Sequence, residues 1–175
     1  KASALRGSVP LIGFGSTLIT STYEVYVFKF INVQCPATGS TVFHFNVSAD
    51  NGTTYNIEKT TTAYSAYHEI GGGQSVLLAY MTSYDLANAT GYQPLAWGLG
   101  DDAWQSMSGE MWLFAPSDTT YAKHFYSRTA QTYYEPLVID NYWAGYCNTT
   151  SAINQVNFKA ATGNINGTIK LYGLT

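Results

Sequence analysis

Apolar and polar residues alternate with period two along most of this chain. The clearest alternation lies in residues 106–126, where Met107, Met111 and Leu113 fall on one face and polar or aromatic residues fall on the other. Alternation of this kind is typical of a pleated β-strand with one buried face. The turn sequence Ala-Pro-Ser-Asp at 115–118 follows, and a second alternating segment comes after it. We therefore predict a β-hairpin here, with both strands in the core of the fold.

The same period predicts about ten strands in all, and no helix of more than two turns. Outside the hairpin, the predicted strands are 16–21, 23–33, 41–48, 53–59, 62–69, 75–82, 136–147, 153–160 and 165–174. Segment 23–33 is apolar at nearly every position, which indicates a strand covered on both faces or a strand at a subunit interface. We expect 85–100 and 127–135 to be connections, and the last two strands to pair with each other. The sequence Asp50-Asn51-Gly52 predicts a tight hairpin turn.

Residues 1–15 show no sustained period and contain four glycine or proline residues. We predict that they form an extended N-terminal arm, and that residues 16–175 form a single domain. Many short strands separated by turn residues are typical of β-sandwiches. The predicted fold class is therefore all-β, a jelly-roll-like antiparallel β-sandwich with an extended N-terminal arm.

Composition narrows the range of partners. The chain has 175 residues and a formal net charge of −3, and 11% of its residues are charged. Since nucleic-acid-binding surfaces are strongly basic, we predict no nucleic-acid partner. Every apolar run is shorter than the roughly 20 residues that span a bilayer, so we predict no membrane partner. Aromatic residues make up 15% of the chain, which favours a sheet protein that contacts other proteins or sugars.

Histidines and loop acids are the candidates for metal or catalytic chemistry. The residues concerned are His44, His68 and His124, and the loop set Asp85, Asn88, Asp101 and Asp102. The histidines lack the short spacing of a zinc motif, although a three-histidine zinc site remains a minor alternative. The loop residues lack the alternating acid pattern of a calcium loop. We therefore predict no catalytic residue, no metal and no cofactor, and a protein that is not an enzyme.

Two cysteines, Cys35 and Cys147, lie far apart in the sequence. They form either one disulfide or two buried free thiols, and the sequence leaves both alternatives open.

Aromatic residues in the long connection 85–100 and just after it are the candidate contact residues. Trp97, Trp104 and Tyr92 are predicted to contact a partner or a glycan. Tyrosine and tryptophan are enriched at protein interfaces, and their rings also stack on sugars. Core packing or subunit contact is favoured over glycan binding for these residues.

Three segments resemble one family of proteins. They are TSTYEVYVFKF at 20–30, SGEMWLFAPSDTTYAKHF at 108–125, and the last segment, AGYCNTTSAINQVNFKAATGNINGTIKLYGL at 144–174. Together they are similar to virion structural proteins of tailed bacteriophages, often aquatic phages, of the tail-fibre-like or head-decoration type. The resemblance covers residues 16–174.

This resemblance implies a β-sandwich on the exterior of a phage particle. The expected function is that of a non-enzymatic virion structural protein, a capsid decoration or head-fibre component attached through residues 1–15. Its expected partners are copies of itself, as a homotrimer, and the major capsid protein or other virion proteins. The alternative is a tail-fibre receptor-binding domain that binds a host surface glycan.

Overall fold

The computed structural model describes residues 2–6, 8–36, 39–69, 71 and 76–175, with residues 2–6 described by their backbone. This part of the chain folds into twelve β-strands and contains no α-helix. Accordingly, it holds no helix long and apolar enough to cross a bilayer. The strands are β1 Ala2–Arg6, β2 Ile12–Phe14, β3 Val25–Gln34, β4 Thr41–Ser48, β5 Lys59–Glu69, β6 Val76–Tyr80, β7 Gln93–Leu99, β8 Met107–Phe114, β9 Lys123–Thr132, β10 Leu137–Cys147, β11 Gln155–Ala160 and β12 Asn166–Leu174.

The strands form two antiparallel sheets that pack face to face. The large sheet has eight strands in the order β1-β12-β3-β8-β9-β10-β5-β6, and the small sheet has four in the order β2-β11-β4-β7. Aromatic rings join the two layers, as in the Phe45–Phe125 pair, whose ring centroids lie 4.8 Å apart. The predicted all-β, antiparallel β-sandwich is confirmed. Pairing of the first strands with the last, β1 with β12 and β2 with β11, wraps the chain in a jelly-roll-like manner.

Residues 2–6 and 12–14 lie in the two sheets, whereas the sequence pattern predicted an arm that extends from the domain. Strand β1 pairs with β12 at the edge of the large sheet, and β2 pairs with β11 at the edge of the small sheet. Ile12 and Phe14 are 5% and 0% exposed. A segment with two core side chains gains more from burial than from extension into solvent, so residues 2–6 and 12–14 belong to the sandwich.

The predicted hairpin is confirmed in the middle of the large sheet. Strands β8 and β9 pair in register, with Trp112 opposite Tyr126. Met107, Met111 and Leu113 are fully buried against the small sheet, as their spacing predicted. Strand β9 runs on to Thr132, so the polar connection expected from residue 127 begins later. Its residues Ser127, Thr129 and Gln131 are buried.

Several other strand predictions were wrong for reasons of local chemistry. Residues 16–21 form a turn, in which the N–H groups of Leu18 and Ile19 donate to Gly15 O. Residues 53–58 form a loop held by Asp50, whose carboxylate accepts from the N–H and the hydroxyl of Thr54 at 2.9 and 2.7 Å. Side chains of this type compete with the strand ladder for backbone donors.

Pairing between distant strands also differed from expectation. Strand β7 lies inside the segment 85–100 that was predicted to be a connection. Strands β11 and β12 do not pair with each other, because β11 joins β2 and β4 while β12 joins β1 and β3.

The interior also contains buried polar side chains that bond to one another. Asn141 accepts from Ser65 Oγ at 2.7 Å and donates to Gln131 Oε1 at 2.9 Å. Thr129 Oγ1 donates to Leu95 O at 2.7 Å. Buried polar groups that satisfy one another in this way stabilise one arrangement of the strands.

Cys35 and Cys147 are both free and buried. Burial raises the pKa of each thiol to about 12. Both therefore stay protonated at neutral pH and behave as small apolar side chains.

Candidate functional site on the outer face of the large sheet

The large sheet has an inner face, packed on the small sheet, and an outer face that points away from it. Strand β9 shows the division, because His124, Tyr126, Arg128 and Ala130 are exposed while the residues between them are buried. The same alternation continues through β8, β10 and β5. The outer face therefore carries every second side chain of the central strands, and no described segment of the chain covers it.

Three aromatic rings form a platform on the outer face. The ring centroids of Trp112 and Tyr126 are 5.9 Å apart with an interplanar angle of 16°. Those of Trp112 and Phe114 are 6.4 Å apart at 21°, and those of Phe114 and Tyr126 are 5.8 Å apart at 36°. Tyr126 is 41% exposed. Rings at these distances and angles form one continuous aromatic cluster on the outer face, which we call the aromatic platform.

The pattern of the hairpin positions the aromatic platform. Trp112 and Phe114 are two residues apart on β8 and so share a face, and the β8–β9 register sets Tyr126 beside Trp112. The signal was present in the sequence, where these aromatics fall opposite the methionines. Alternation by itself predicts a strand face and not a site, so the sequence predictions do not include the aromatic platform.

A shallow groove of about 420 Å³ lies beside the aromatic platform. Phe114, Tyr126 and Tyr146 form its walls, and the small side chain of Ala144 leaves its floor low. The remaining lining residues include Thr60, Thr62 and His124. Aromatic walls next to hydroxyl groups fit a ligand with both an apolar face and hydrogen-bonding groups. A sugar ring or an apolar side chain of another protein has this character.

A band of paired charges borders the aromatic platform. Lys29 forms an ion pair with Glu110, and Arg128 binds Asp140 through two hydrogen bonds of 2.8 and 3.2 Å. Trp112 Nε1 also donates to Glu110 Oε1 at 2.9 Å. The hydrogen bond from Lys29 lowers the pKa of Glu110, although partial burial opposes the shift. The Glu110 carboxylate is therefore held ionised as an acceptor, which suits a structural role better than proton transfer.

The three contact residues predicted from sequence do not come together. Trp97 is partly buried against the core: its Nε1 donates to Ser65 Oγ at 3.0 Å, and its ring stacks on Tyr84 at 5.7 Å. It also contacts Tyr133, with 5.0 Å between ring centroids. These contacts make Trp97 part of the packing between the sheets, the alternative that the sequence already favoured over glycan contact.

Tyr92 and Trp104 lie elsewhere. Tyr92 lies over the small sheet, where its hydroxyl accepts from Asn157 Nδ2 at 3.0 Å and Lys159 Nζ is 4.2 Å from its ring centroid. Trp104 is 61% exposed in the loop between β7 and β8. Neither contributes to the aromatic platform.

The histidines are also separated. His44 lies over the small sheet beside Tyr92, while His68 and His124 lie on the outer face of the large sheet on different strands. Burial, and then the charge of Lys159, lowers the pKa of His44 to about 4. Among the described residues, no three His, Cys, Asp or Glu side chains are close enough to hold a metal ion.

Two of the loop acids accept hydrogen bonds from other parts of the chain. Asp101 accepts from Gly39 N at 3.0 Å, and Asp85 accepts from the Tyr80 hydroxyl at 2.7 Å. Asp101 therefore links the loop after β7 to the loop before β4, and Asp85 binds the end of β6.

Comparison with known proteins gives no family. No family model and no curated protein matches the chain. The similar solved structures include the legume lectin-like domain from Entamoeba histolytica, at 9% identity and a TM-score of 0.35, covering 98% of this chain and 82% of that one. A Bacteroides ovatus protein of unknown function is 7% identical with a TM-score of 0.22, covering 80% and 46%. The aerolysin-like protein of Bombina maxima is 8% identical with a TM-score of 0.15, covering 91% and 89%. Similarity this weak supports no functional assignment.

Proposed function

We propose that this chain is a non-enzymatic structural protein of a bacteriophage particle, located on the particle exterior as a capsid decoration or head-fibre component. It binds the major capsid protein or another virion protein through the outer face of the large sheet. The observation that carries this proposal is the aromatic platform on the outer face, in which Trp112 and Phe114 are half-buried and Tyr126 is exposed. Exposed aromatic patches bordered by polar residues mark interaction surfaces.

The phage setting is supported by the sequence motifs at 108–125 and 144–174. The first of these motifs includes Trp112 and Phe114 and ends one residue before Tyr126. Attachment through residues 1–15 is replaced in this proposal by attachment through the outer face, because β1 and β2 make their hydrogen bonds within the sandwich.

Incorporation into particles tests the proposal. We expect mass spectrometry to find the protein in purified particles of the phage that carries its gene. The double variant Trp112→Ser with Tyr126→Ser is expected to reduce its occupancy about tenfold or more, because central aromatic residues contribute most of the energy of an interface. Trp104→Ser, an exposed tryptophan away from the outer face, is the matched control and is expected to keep wild-type occupancy. Absence of the protein from particles, or full occupancy of the double variant, would contradict the proposal.

A second candidate function is binding of a host surface glycan in the groove beside the aromatic platform. The observation that favours it is the combination of Tyr126 and Tyr146 as walls with Thr60 and Thr62 at the edge of the groove. Tyrosine rings stack on the apolar face of a pyranose, while threonine hydroxyls bond to its hydroxyls.

A glycan-binding assay distinguishes attachment to the particle from binding of a host glycan. On a glycan array, wild type is expected to bind a defined class of oligosaccharide, and Tyr146→Ala is expected to weaken that binding about tenfold or more. Trp104→Ala serves as the control and is expected to bind normally. If no glycan binds, or if Tyr146→Ala binds as wild type does, the groove is not a glycan site. Loss of glycan binding with normal incorporation into particles would assign the groove to receptor recognition.

A further inference from the structure

Strand β6, Val76–Tyr80, forms one edge of the large sheet among the described residues. Its sequence, VLLAY, contains no charged residue. Val76, Leu77 and Leu78 are 63%, 48% and 72% exposed, and Tyr80 is 47% exposed. An edge strand that is apolar on both faces is a template for pairing with another strand.

The other three edges carry features that oppose such pairing. Strand β7 contains Pro94, which lacks an N–H donor, and β2 has only three residues. Strand β1 ends in Arg6. Short strands, prolines and charges are the usual means by which proteins protect a sheet edge. Among the strands that end the two sheets, β6 therefore has the least protection.

The backbone groups of β6 have a defined direction. Met81 N donates to Ala63 O at 2.8 Å, and β5 pairs with β6 in the register Tyr64 opposite Tyr80. In an antiparallel ladder, alternate residues bond to the same neighbour, so Leu77 and Ala79 bond to β5 in the same way as Met81. The N–H and C=O groups of Val76, Leu78 and Tyr80 therefore point away from the sheet.

We propose that β6 pairs antiparallel with β6 of a second copy of this chain, about a two-fold axis through Leu78. This register sets Leu78 opposite Leu78 of the second copy, and Val76 opposite Tyr80. Each of these pairs exchanges two backbone hydrogen bonds and uses the groups that point away from the sheet. Every opposed pair of side chains is apolar, including Leu77 opposite Ala79, so the edge is complementary to itself.

A second copy fits this edge better than an unrelated strand or another edge of the same protein. The residues with outward-directed backbone groups are arranged symmetrically about Leu78, which is the condition for an isologous contact. Pairing of β6 with β1 of another copy would instead be heterologous and would extend into open fibres. The inference does not depend on the proposed virion function. It predicts a two-fold dimer, where the family resemblance implied a homotrimer.

The oligomeric state tests the proposal. Sedimentation equilibrium across concentrations from about 1 µM to 1 mM is expected to show a reversible dimer for wild type. Leu78→Lys sets two charges against each other at the axis and is expected to raise the dimer dissociation constant at least about tenfold. Val138→Lys is the matched control. Val138 is 47% exposed on the same face, but it lies on β10, which β5 separates from the edge strand β6. This variant is expected to dimerise as wild type does.

A cysteine variant keeps the test independent of folding defects. Opposed residues at a two-fold axis have Cα atoms about 5.5 Å apart, within the range of a disulfide. Under mild oxidation Leu78→Cys is expected to form a covalent dimer, whereas Val138→Cys is not; the buried native cysteines do not compete. A wild type that stays monomeric up to 1 mM, or forms trimers or open polymers, would overturn the proposal. The same conclusion would follow if Leu78→Cys failed to cross-link more than Val138→Cys.

Discussion

Two lysines lie inside the sandwich and flank Cys147 on the neighbouring strands. Lys59 and Lys123 are 0% and 1% exposed, and both are in register with Cys147. Lys59 Nζ donates to Asn46 Oδ1 at 2.7 Å and to Ile57 O at 2.8 Å. Burial lowers the pKa of Lys59 to about 8, an effect partly opposed by Cys147. A buried ammonium group needs such acceptors, because desolvation of a charge is costly.

We expect Lys59 to make stability rise with pH in the alkaline range. Its ordinary pKa is 10.5 and its folded value is about 8, so between these values the unfolded chain binds more protons than the folded one. Stability then increases with pH, by at most about 1.4 kcal/mol per pH unit for one group.

Denaturation by urea at several pH values, with Lys59→Met as the reference, measures this effect. The stability of wild type relative to the variant is expected to rise between about pH 8 and pH 10.5. The other titrating groups are common to both proteins and largely cancel in the difference. A difference that does not change with pH would show that Lys59 stays charged in the folded protein.

Trp97 and Trp104 provide a second test at the residue scale. Trp97 donates a hydrogen bond to Ser65 and packs on Tyr84, so Trp97→Ala is expected to lower the free energy of unfolding by about 3 kcal/mol or more. Trp104 is 61% exposed, so Trp104→Ala is expected to change the free energy of unfolding by less than about 0.5 kcal/mol. Chemical denaturation measures both variants. Equal effects would contradict the separate roles assigned to these residues.

At the scale of elements, a bulge in β7 determines the direction of the Trp97 side chain. Opposite β4, the pairing shifts between Ala96 and Leu99, where Gly98 has a φ of 68°. A Cβ at Gly98 would lie 1.8 Å from Tyr133 Cε2. Bulges of this kind bend a strand and redirect its side chains, and glycine is the residue that permits the conformation.

Gly98→Ala is therefore expected to destabilise the protein by more than about 2 kcal/mol, from backbone strain and from displacement of Tyr133. Gly39→Ala is the control, because Gly39 has a φ of 84° but an added methyl group meets no described atom within 4 Å. Its expected cost is about 1 kcal/mol, from backbone strain alone. Thermal and urea denaturation compare the two. A Gly98→Ala variant no less stable than Gly39→Ala would rule out the steric role of Tyr133.

At the scale of the whole molecule, the N-terminal strands close both sheets against the C-terminal strands. Phe14 packs on Phe28 and Phe158, with ring centroids 5.3 and 6.1 Å apart. Contacts between the two ends of a chain form at a high cost in loop-closure entropy. They persist here because they bury core side chains such as Ile12 and Phe14.

Deletion of residues 1–14 is expected to destabilise the sandwich by about 5 kcal/mol or more, because it removes two core side chains. Deletion of residues 1–7 retains Ile12 and Phe14 and is expected to cost less. Circular dichroism during thermal unfolding measures both proteins. If the longer deletion left the unfolding midpoint unchanged, residues 1–14 would be an appendage, as the sequence pattern had suggested.

The sequence by itself determined the fold class and the central hairpin, because period-two alternation is a local property of a strand with one buried face. It identified β4 to the residue, and it placed Met107, Met111 and Leu113 on the buried side. The same alternation set Trp112 and Phe114 on the opposite side.

Only the tertiary structure decided which strands are neighbours. Pairing of β2 with β11, the bulge at Gly98 and the open edge at β6 depend on contacts between residues far apart in the chain. The alternation within one strand carries no information about its neighbour, since any other strand with an apolar face on the same side could pair with it. The aromatic platform depends on both levels. Alternation along β8 and β9 determines the face on which each ring lies, and the register of β8 with β9 brings Trp112, Phe114 and Tyr126 together.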